Sequence, residues 1–299
     1  MKSRKITYFK YFSLFFIIAV LVFIAGCTGA PPIIPIINSV TYNGNGHTAG
    51  TVPVDPSSPY QSGATVTVLF NTGNLTRINS GGTSYRFTGW NTKADGSGTV
   101  QVEASIFTIG ASNVILYAQW TPYVLRDIGP AGGYIFYDKG YYSKADFTIV
   151  KAAGNGTVPV TPTYDGWRYL EAAPSDQSTG AEWGCYGVSI SGADGTAVGT
   201  GEQNTIDIED GCTTFDTAAD VCAILSLGGY SDWFLPSKDE LNFMYENLKI
   251  SWVGGFAANF YWSSSEYDAD FAWCQDFGSG YQFNYAEFKA YRVRAVRAF

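Results

Sequence analysis

The residues best suited to chemistry in this chain are few and poorly matched to one another. Ser263-Ser264-Ser265 offers a hydroxyl nucleophile, but the only histidine, His47, belongs to a glycine-rich segment near the other end. A serine without a base to take its proton is a weak nucleophile, which excludes a serine triad. One histidine and no Cys-x-x-Cys pair argue against a zinc centre. Gly199-x-Gly201 lacks the strand–turn–helix context of a phosphate loop. Arg292, Arg294 and Arg297 would suit sulfate or phosphate. On a strand, however, Arg292 and Arg294 share one face and Arg297 lies on the other, so pairing with carboxylates such as Glu266 explains them better. Asp194, Asp207 and Asp210 supply oxygen donors for a structural calcium. Glu240 is better explained as a helix cap than as an acid catalyst. The expectation is a protein without catalysis, cofactor or catalytic metal.

Recognition is the chemistry that remains. Between residues 259 and 291, Tyr261 to Glu266, Trp273 and Tyr291 to Arg297 read as framework. Around them lie Asn259, Phe260, Asp268, Asp270, Phe271, Cys274, Asp276, Gly278, Tyr281, Phe283, Asn284, Tyr285, Ala286 and Phe288. Aromatic rings with few rotamers, mixed with small polar residues, are typical of binding surfaces. Buried strands would alternate cleanly, and this stretch does not. Tyr281, Phe283 and Tyr285 do alternate, which predicts one strand presenting a row of rings. With Asp268, Asp270 and Asp276 nearby, the row suits a protein ligand with apolar knobs and some basic character. Candidate contacts are all of these residues except Ala286.

The elements that must carry this surface are short. Ser237 with Glu240 three residues later is a capping box, followed by Leu241, Met244, Tyr245 and Leu248 on one helical face. Asp216 or Thr217 caps another helix, with Ala218, Val221, Cys222 and Leu225 at helical spacing before Gly228-Gly229. Residues 184–211 read as a long loop, and 140–163 as a surface insertion. Ile128 to Tyr137 is a glycine-bearing turn feeding a strand, and Trp167 to Glu171 is another strand. Upstream, alternation predicts strands at 65–70, 85–90 and 114–120, with turn chemistry over Asn91–Thr99. Trp90, Trp120, Trp167, Trp183, Trp233 and Trp262 are read as core.

With 299 residues, 46% of them hydrophobic, the chain can build one large or two moderate domains. Glycine and aromatic richness against 15% charged residues favours β-rich, loop-rich structure. The boundary is expected at Pro122-Tyr123. Lys2, Arg4, Lys5 and Lys10 precede an apolar run from Tyr11 to Ala25, the pattern of an export signal. Removing residues 1–26 takes the net charge from −8 to about −12. That balance argues against nucleic acid as a partner. Export permits disulfides, and Cys212 and Cys222 are close enough in sequence to form one. Cys274 reads as free.

Four resemblances add to this. Ile24-Ala25-Gly26-Cys27 resembles a bacterial lipobox, which implies lipidation of Cys27, a tether over 27–38 and attachment to the cell envelope, with the outer membrane and surface exposure expected. VTYNGNG, FTGWNTKADGSGT and LYAQWTP resemble the Listeria–Bacteroides repeat over 39–122, which implies a small β-grasp-like module acting as spacer or weak adhesion unit. GGYSDWFLPSKDELNFMY, YWSSSEY and YRVRAVRAF resemble the family typified by the C-terminal domain of the Legionella collagen-like protein. They resemble, more distantly, the formylglycine-generating-enzyme branch of C-type lectin-like folds. The implied class is α+β, with a C-type lectin-like domain over 123–299. The enzyme family's copper-binding cysteine pair has no counterpart, nor do the calcium-lectin signatures. Lipobox, fold and mixed aromatic tail together resemble the treponemal variable proteins, whose C-terminal codons are rewritten by a diversity-generating retroelement. That implies a surface receptor or adhesin with a diversified site at 259–291. The alternatives are an adhesin for sulfated glycans and an oxidase of the formylglycine-generating type.

Overall fold

The computed structural model describes residues 35–80, 82–139 and 167–299. Cys27, the export segment and the 140–163 insertion lie outside them. The first half is built from β1 (Ile37–Asn38), β2 (Val40–Asn43), β3 (Tyr60–Gln61), β4 (Thr65–Thr67), β5 (Arg77–Ile78), β6 (Ser84–Asn91), β7 (Val100–Gln101), β8 (Ile106–Thr108) and β9 (Val114–Pro122). The longest members, β6 and β9, pair antiparallel, and β2 runs parallel to β9. Alternation along β9 sends Leu116 and Ala118 inward, where they meet Val40, Val66, Val68, Leu75, Trp90 and Ile109. Trp90 is fully buried and its indole donates to Leu69 O at 3.0 Å. Trp120 is half-buried and donates to Gly44 O at 3.1 Å. Both serve the core.

The second half comprises β10 (Tyr134–Asp138), β11 (Tyr169–Ala172), β12 (Ser178–Ala181), α1 (Gly201–Gly211), α2 (Ala218–Ala223), α3 (Lys238–Met244), β13 (Phe260–Asp268), β14 (Phe271–Asp276), β15 (Gln282–Ala286), β16 (Tyr291–Val293) and β17 (Val296–Ala298). A π-turn, Tyr245–Lys249, prolongs α3. One sheet has the order β10-β11-β17 and the larger one β12-β16-β13-β14-β15. Trp183, Trp233 and Trp262 are buried in the core that packs on the larger sheet. Tyr123 joins the halves, with its ring 5.5 Å from Phe299 and 6.0 Å from Tyr169. From Ile37 to Phe299 the chain is one compact unit. No helix among the described residues is long and apolar enough to cross a membrane.

The expected α+β, C-type lectin-like class is not what the chain adopts. Strand accounts for 34% of the structure and helix for 13%, distributed over several sheets. The helices are 11, 6 and 7 residues long, so they cap and brace sheets rather than form a layer. No described residue from 35 to 122 is helical, which also removes the helix a β-grasp module would need. Helix signals are concentrated at sharply defined caps, whereas the β content is spread over many strands of two to five residues.

The capping boxes themselves are present, Thr217 with Asp220 and Ser237 with Glu240. Helix α1 occupies a segment expected to be loop. It has no side-chain cap at its start, and tertiary bonds hold it instead. The Thr205 hydroxyl accepts from Leu235 N at 3.0 Å, and the Asn204 amide donates to Gly195 O at 2.6 Å. Gly199 and Gly201 serve the same join. Gly199 N donates to the Glu240 carboxylate at 2.7 Å, and a Cβ on Gly201 would sit 2.2 Å from that group. The glycines thus cradle a carboxylate of the chain's own, which Ser237 N also reaches at 2.7 Å. Burial nonetheless pushes the Glu240 carboxyl up to about 7, against those backbone donors.

Candidate ligand-binding surface

Strands β13, β14 and β15 form a meander whose two faces have opposite fates. On one face Gln275 donates to the Asn242 side chain and Gln282 to Lys238 O, both at 2.8 Å. The Lys238 ammonium stands 4.3 Å over the Trp273 ring. That face is closed against α3. On the other face small residues, Ala272 and Cys274, lie opposite Tyr285 and Phe283 in the ladder. Large rings stacked over small ones cannot all sink into the core, so part of each stays in solvent.

The result is a continuous aromatic cluster. Phe260 stacks on Tyr291 at 5.0 Å and meets Tyr285 at 5.3 Å and Phe283 at 6.0 Å. Phe283 is 5.9 Å from Tyr285 and 6.4 Å from Tyr281. Tyr281 is 70% exposed and Phe283 38%, while Phe260, Tyr285 and Tyr291 are half-buried. Edge-on ring packing of this kind holds the rings in fixed orientations and lowers the entropy lost on binding.

The structure sorts the candidate residues. Phe260, Tyr281, Phe283 and Tyr285 are together in the cluster, and Asn259 is exposed beside it. Asn284 is half-buried across from Trp273, with the inner face of the meander. Asp268 accepts from Asp270 N at 3.0 Å at the β13–β14 tip, where Phe271 pairs with Asp268 and is 38% exposed. The Asp276 carboxylate is spent on the next turn, accepting from Gly278 N at 2.8 Å and Ser279 Oγ at 2.7 Å. Phe288 is exposed but belongs to a separate pair with Tyr186 at 5.0 Å.

Cys274 must be removed from the set. It is 1% exposed beneath the rings, and burial raises its thiol pKa far above the usual range. Tyr291, assigned to framework by the sequence, joins the surface. Its signal was available, since it is an aromatic flanked by Ala290 and Arg292 rather than by core residues.

The disulfide also differs from expectation. Cys212 bonds Cys185, with their Cα atoms 5.5 Å apart, and does not bond Cys222. Cys222 faces inward from α2, fully buried among Trp183, Ala218 and Ala219. Cys212 ends α1 and faces the turn at Gly184-Cys185 instead.

Each arginine of the trio bonds a carboxylate, although Arg292 Nε is left without a partner among the described residues. Arg292 Nη1 and Arg294 Nη2 reach opposite oxygens of Asp176 at 2.8 and 2.6 Å. Arg294 Nη1 also donates to Ala173 O at 2.9 Å and Gly254 O at 2.8 Å. Arg297 bonds Glu171 at 2.9 Å and Asp232 at 2.7 Å. The expected partner Glu266 takes none of them; it accepts from Ile190 N at 2.7 Å and Ser189 Oγ at 3.0 Å. Asp207 accepts from Gln203 at 2.9 Å, and no group of three acids, cysteines or histidines among the described residues could hold a metal.

One carboxyl stands out. Glu287 is fully buried and neither oxygen has a hydrogen-bond partner. Burial, with Glu266, Asp268 and Asp270 nearby, pushes it up to about 8.

Comparison with known proteins bears on this half of the chain. Residues 173–297 match the Lcl C-terminal domain. That span contains the whole of the meander and Arg292, Arg294 and Arg297 with Asp176 and Asp232. Two proteins of Evansella cellulosilytica, a putative Gly-rich membrane protein and a putative membrane protein, are 36% and 33% identical to this chain over 81 residues. Those 81 residues are 27% of this chain, which spans only 8% and 11% of the length of the two relatives. A fimbrial protein from Bacteroides ovatus superposes over 88% of this chain and 69% of its own at 12% identity, with a TM-score of 0.36. That score is too low to argue a shared fold.

Proposed function

We propose that this is a lipid-anchored protein of the bacterial cell envelope, exposed at the surface, acting as a receptor or adhesin. It binds a protein ligand through the ring cluster of Phe260, Tyr281, Phe283, Tyr285 and Tyr291, without chemistry. The observation that carries the reading is that cluster, five rings in mutual contact and partly in solvent on one sheet face. The Lcl C-terminal domain match over the same segment, and the putative membrane proteins among its relatives, support the envelope setting. The sulfated-glycan alternative is weakened because Arg292, Arg294 and Arg297 each bond a carboxylate of the chain itself.

We further propose that 259–291 is diversified, because its exposed positions other than Lys289 hold residue types such as Asn, Asp, Tyr, Phe, Gly, Ser and Ala that adenine mutagenesis of one codon generates. To test binding, a displayed library of natural proteins is selected against the full chain. The recovered ligands are then measured against a Tyr281→Ala/Phe283→Ala/Tyr285→Ala variant. Loss of at least about tenfold in affinity is expected, equivalent to about 1.4 kcal/mol. Tyr285 packs against the core, so the melting temperature should fall somewhat, and binding is measured where the variant is shown to be fully folded. Undiminished binding overturns the assignment.

A further inference from the structure

We propose that the outer edge of β15 receives an extended segment of the partner protein by strand addition, with the ring cluster reading its side chains. This rests on the binding role proposed above and specifies how the partner is held.

Ladder parity decides which backbone groups of β15 face outward. Glu287 N donates to Asp270 O at 3.2 Å, and Asp276 N donates to Tyr281 O at 3.0 Å. The β14–β15 register between these bonds is unbroken, pairing Phe271 with Ala286 through to Gln275 with Gln282. In an antiparallel ladder bonded and non-bonded pairs alternate. The bonded pairs are therefore Asp270–Glu287, Ala272–Tyr285, Cys274–Phe283 and Asp276–Tyr281. It follows that the backbone groups of Gln282, Asn284 and Ala286 point away from β14. Only Ala286 O is occupied, by Lys289 N at 2.9 Å. Three N–H groups and two carbonyls are left facing outward in a row, without partners among the described residues, at the last strand of the sheet.

Between Gln282 and Ala286 this edge carries neither proline nor bulge, two of the devices that normally protect one. Exposed edges are blunted by proline, bulges or inward charges. The opposite edge of the same sheet, β12, has a register break between Ser178 and Ala181 and includes Gly180. Strand β15 has neither proline nor break.

The occupant's chemistry follows from what flanks the edge. A strand added here would place alternate side chains beside Tyr281, Phe283 and Tyr285, and apolar ones fit. Asp276 lies at one end of β15 and Asp268 and Asp270 at the other, so basic residues complement both ends. The nearby lysines, Lys238 over Trp273 and Lys289 over Phe288, are outnumbered by these three carboxylates. The partner is thus an extended segment with apolar residues at every second position and a basic residue at each end.

The probe is a random linear dodecapeptide library displayed on phage, selected against the full chain. Enriched peptides should show that alternation. Asn284→Pro removes one outward N–H and no ladder bond, so it should weaken them at least about tenfold, whereas Asn284→Ala keeps the N–H and should bind normally. Should the proline variant melt early, synthetic peptides N-methylated at alternate residues replace it. One methylation register should abolish binding to the unaltered protein and the other should not. Equal binding by Asn284→Pro, insensitivity to methylation, or no enrichment overturns strand addition. If the triple alanine variant loses binding while Asn284→Pro retains it, the aromatic surface stands and only strand addition falls. A dimer in sedimentation that Asn284→Pro dissolves would assign the edge to a second copy and overturn the partner assignment.

Discussion

Asp176→Asn tests whether the arginines are structural. Asp176 is the shared acceptor for Arg292 at 2.8 Å, for Arg294 at 2.8 and 2.6 Å, and for the Tyr261 hydroxyl at 3.0 Å. Arg294 is 1% exposed, with its guanidinium 4.0 Å above the Phe256 ring. Neutralising Asp176 leaves that charge buried and uncompensated. Losing one partner of a buried pair costs about 3–5 kcal/mol. Arg294 keeps its two backbone carbonyls, and Arg292 is 24% exposed and contributes little, so the lower end, about 3 kcal/mol, applies. For a unit of this size that is a fall in melting temperature of about 6–12 °C. Thermal unfolding followed by near-ultraviolet circular dichroism, where the buried Trp183 and Trp262 report, is the assay. A shift under about 2 °C would refute the structural reading. So would wild-type binding to a sulfated polysaccharide that Arg294→Met abolishes in a folded protein.

Two further predictions concern the same half. Glu287 keeps its proton in the folded state up to about 8, whereas the unfolded chain releases it near 4.5. Between those values the unfolded state binds fewer protons, so stability should fall as pH rises from about 4.5 to about 8. Glu287→Gln cannot ionise, and melting curves against pH should show it flatter and more stable than wild type at pH 8; parallel profiles would remove Glu287 as the cause. If the surface is diversified, sequencing the gene's 3′ end from one clonal culture should show substitutions concentrated in codons 259–291 and traceable to template adenines. An invariant stretch would restrict the surface to one fixed partner.

Local signals were legible where a few adjacent residues settle the structure. Thr217 with Asp220 and Ser237 with Glu240 announce their helices, because each box is closed within four residues. The row Tyr281, Phe283, Tyr285 was legible for the same reason. What depends on distant partners was not. Helix α1 begins without a side-chain cap and relies on Leu235 and Ser264. Cys212 chose Cys185, 27 residues away, over the nearer Cys222, because α2 turns Cys222 into the core. Asp176 lies more than a hundred positions from the arginines it holds. Composition placed Cys274 on the binding surface, whereas strand parity puts it beneath the rings. The fold class failed because it rested on a family resemblance, whereas the glycine- and aromatic-rich composition pointed to the β-rich structure found.

The central claim is that the ring cluster is where a ligand sits. Hydroxyl-radical footprinting of the full chain, with and without a selected protein ligand, tests it most directly. Protection should appear at Phe260, Tyr281, Phe283 and Tyr285 and be absent at Trp252, which is 91% exposed and remote in sequence from the β15 edge. Protection at Trp252 with the four rings unchanged would contradict the account.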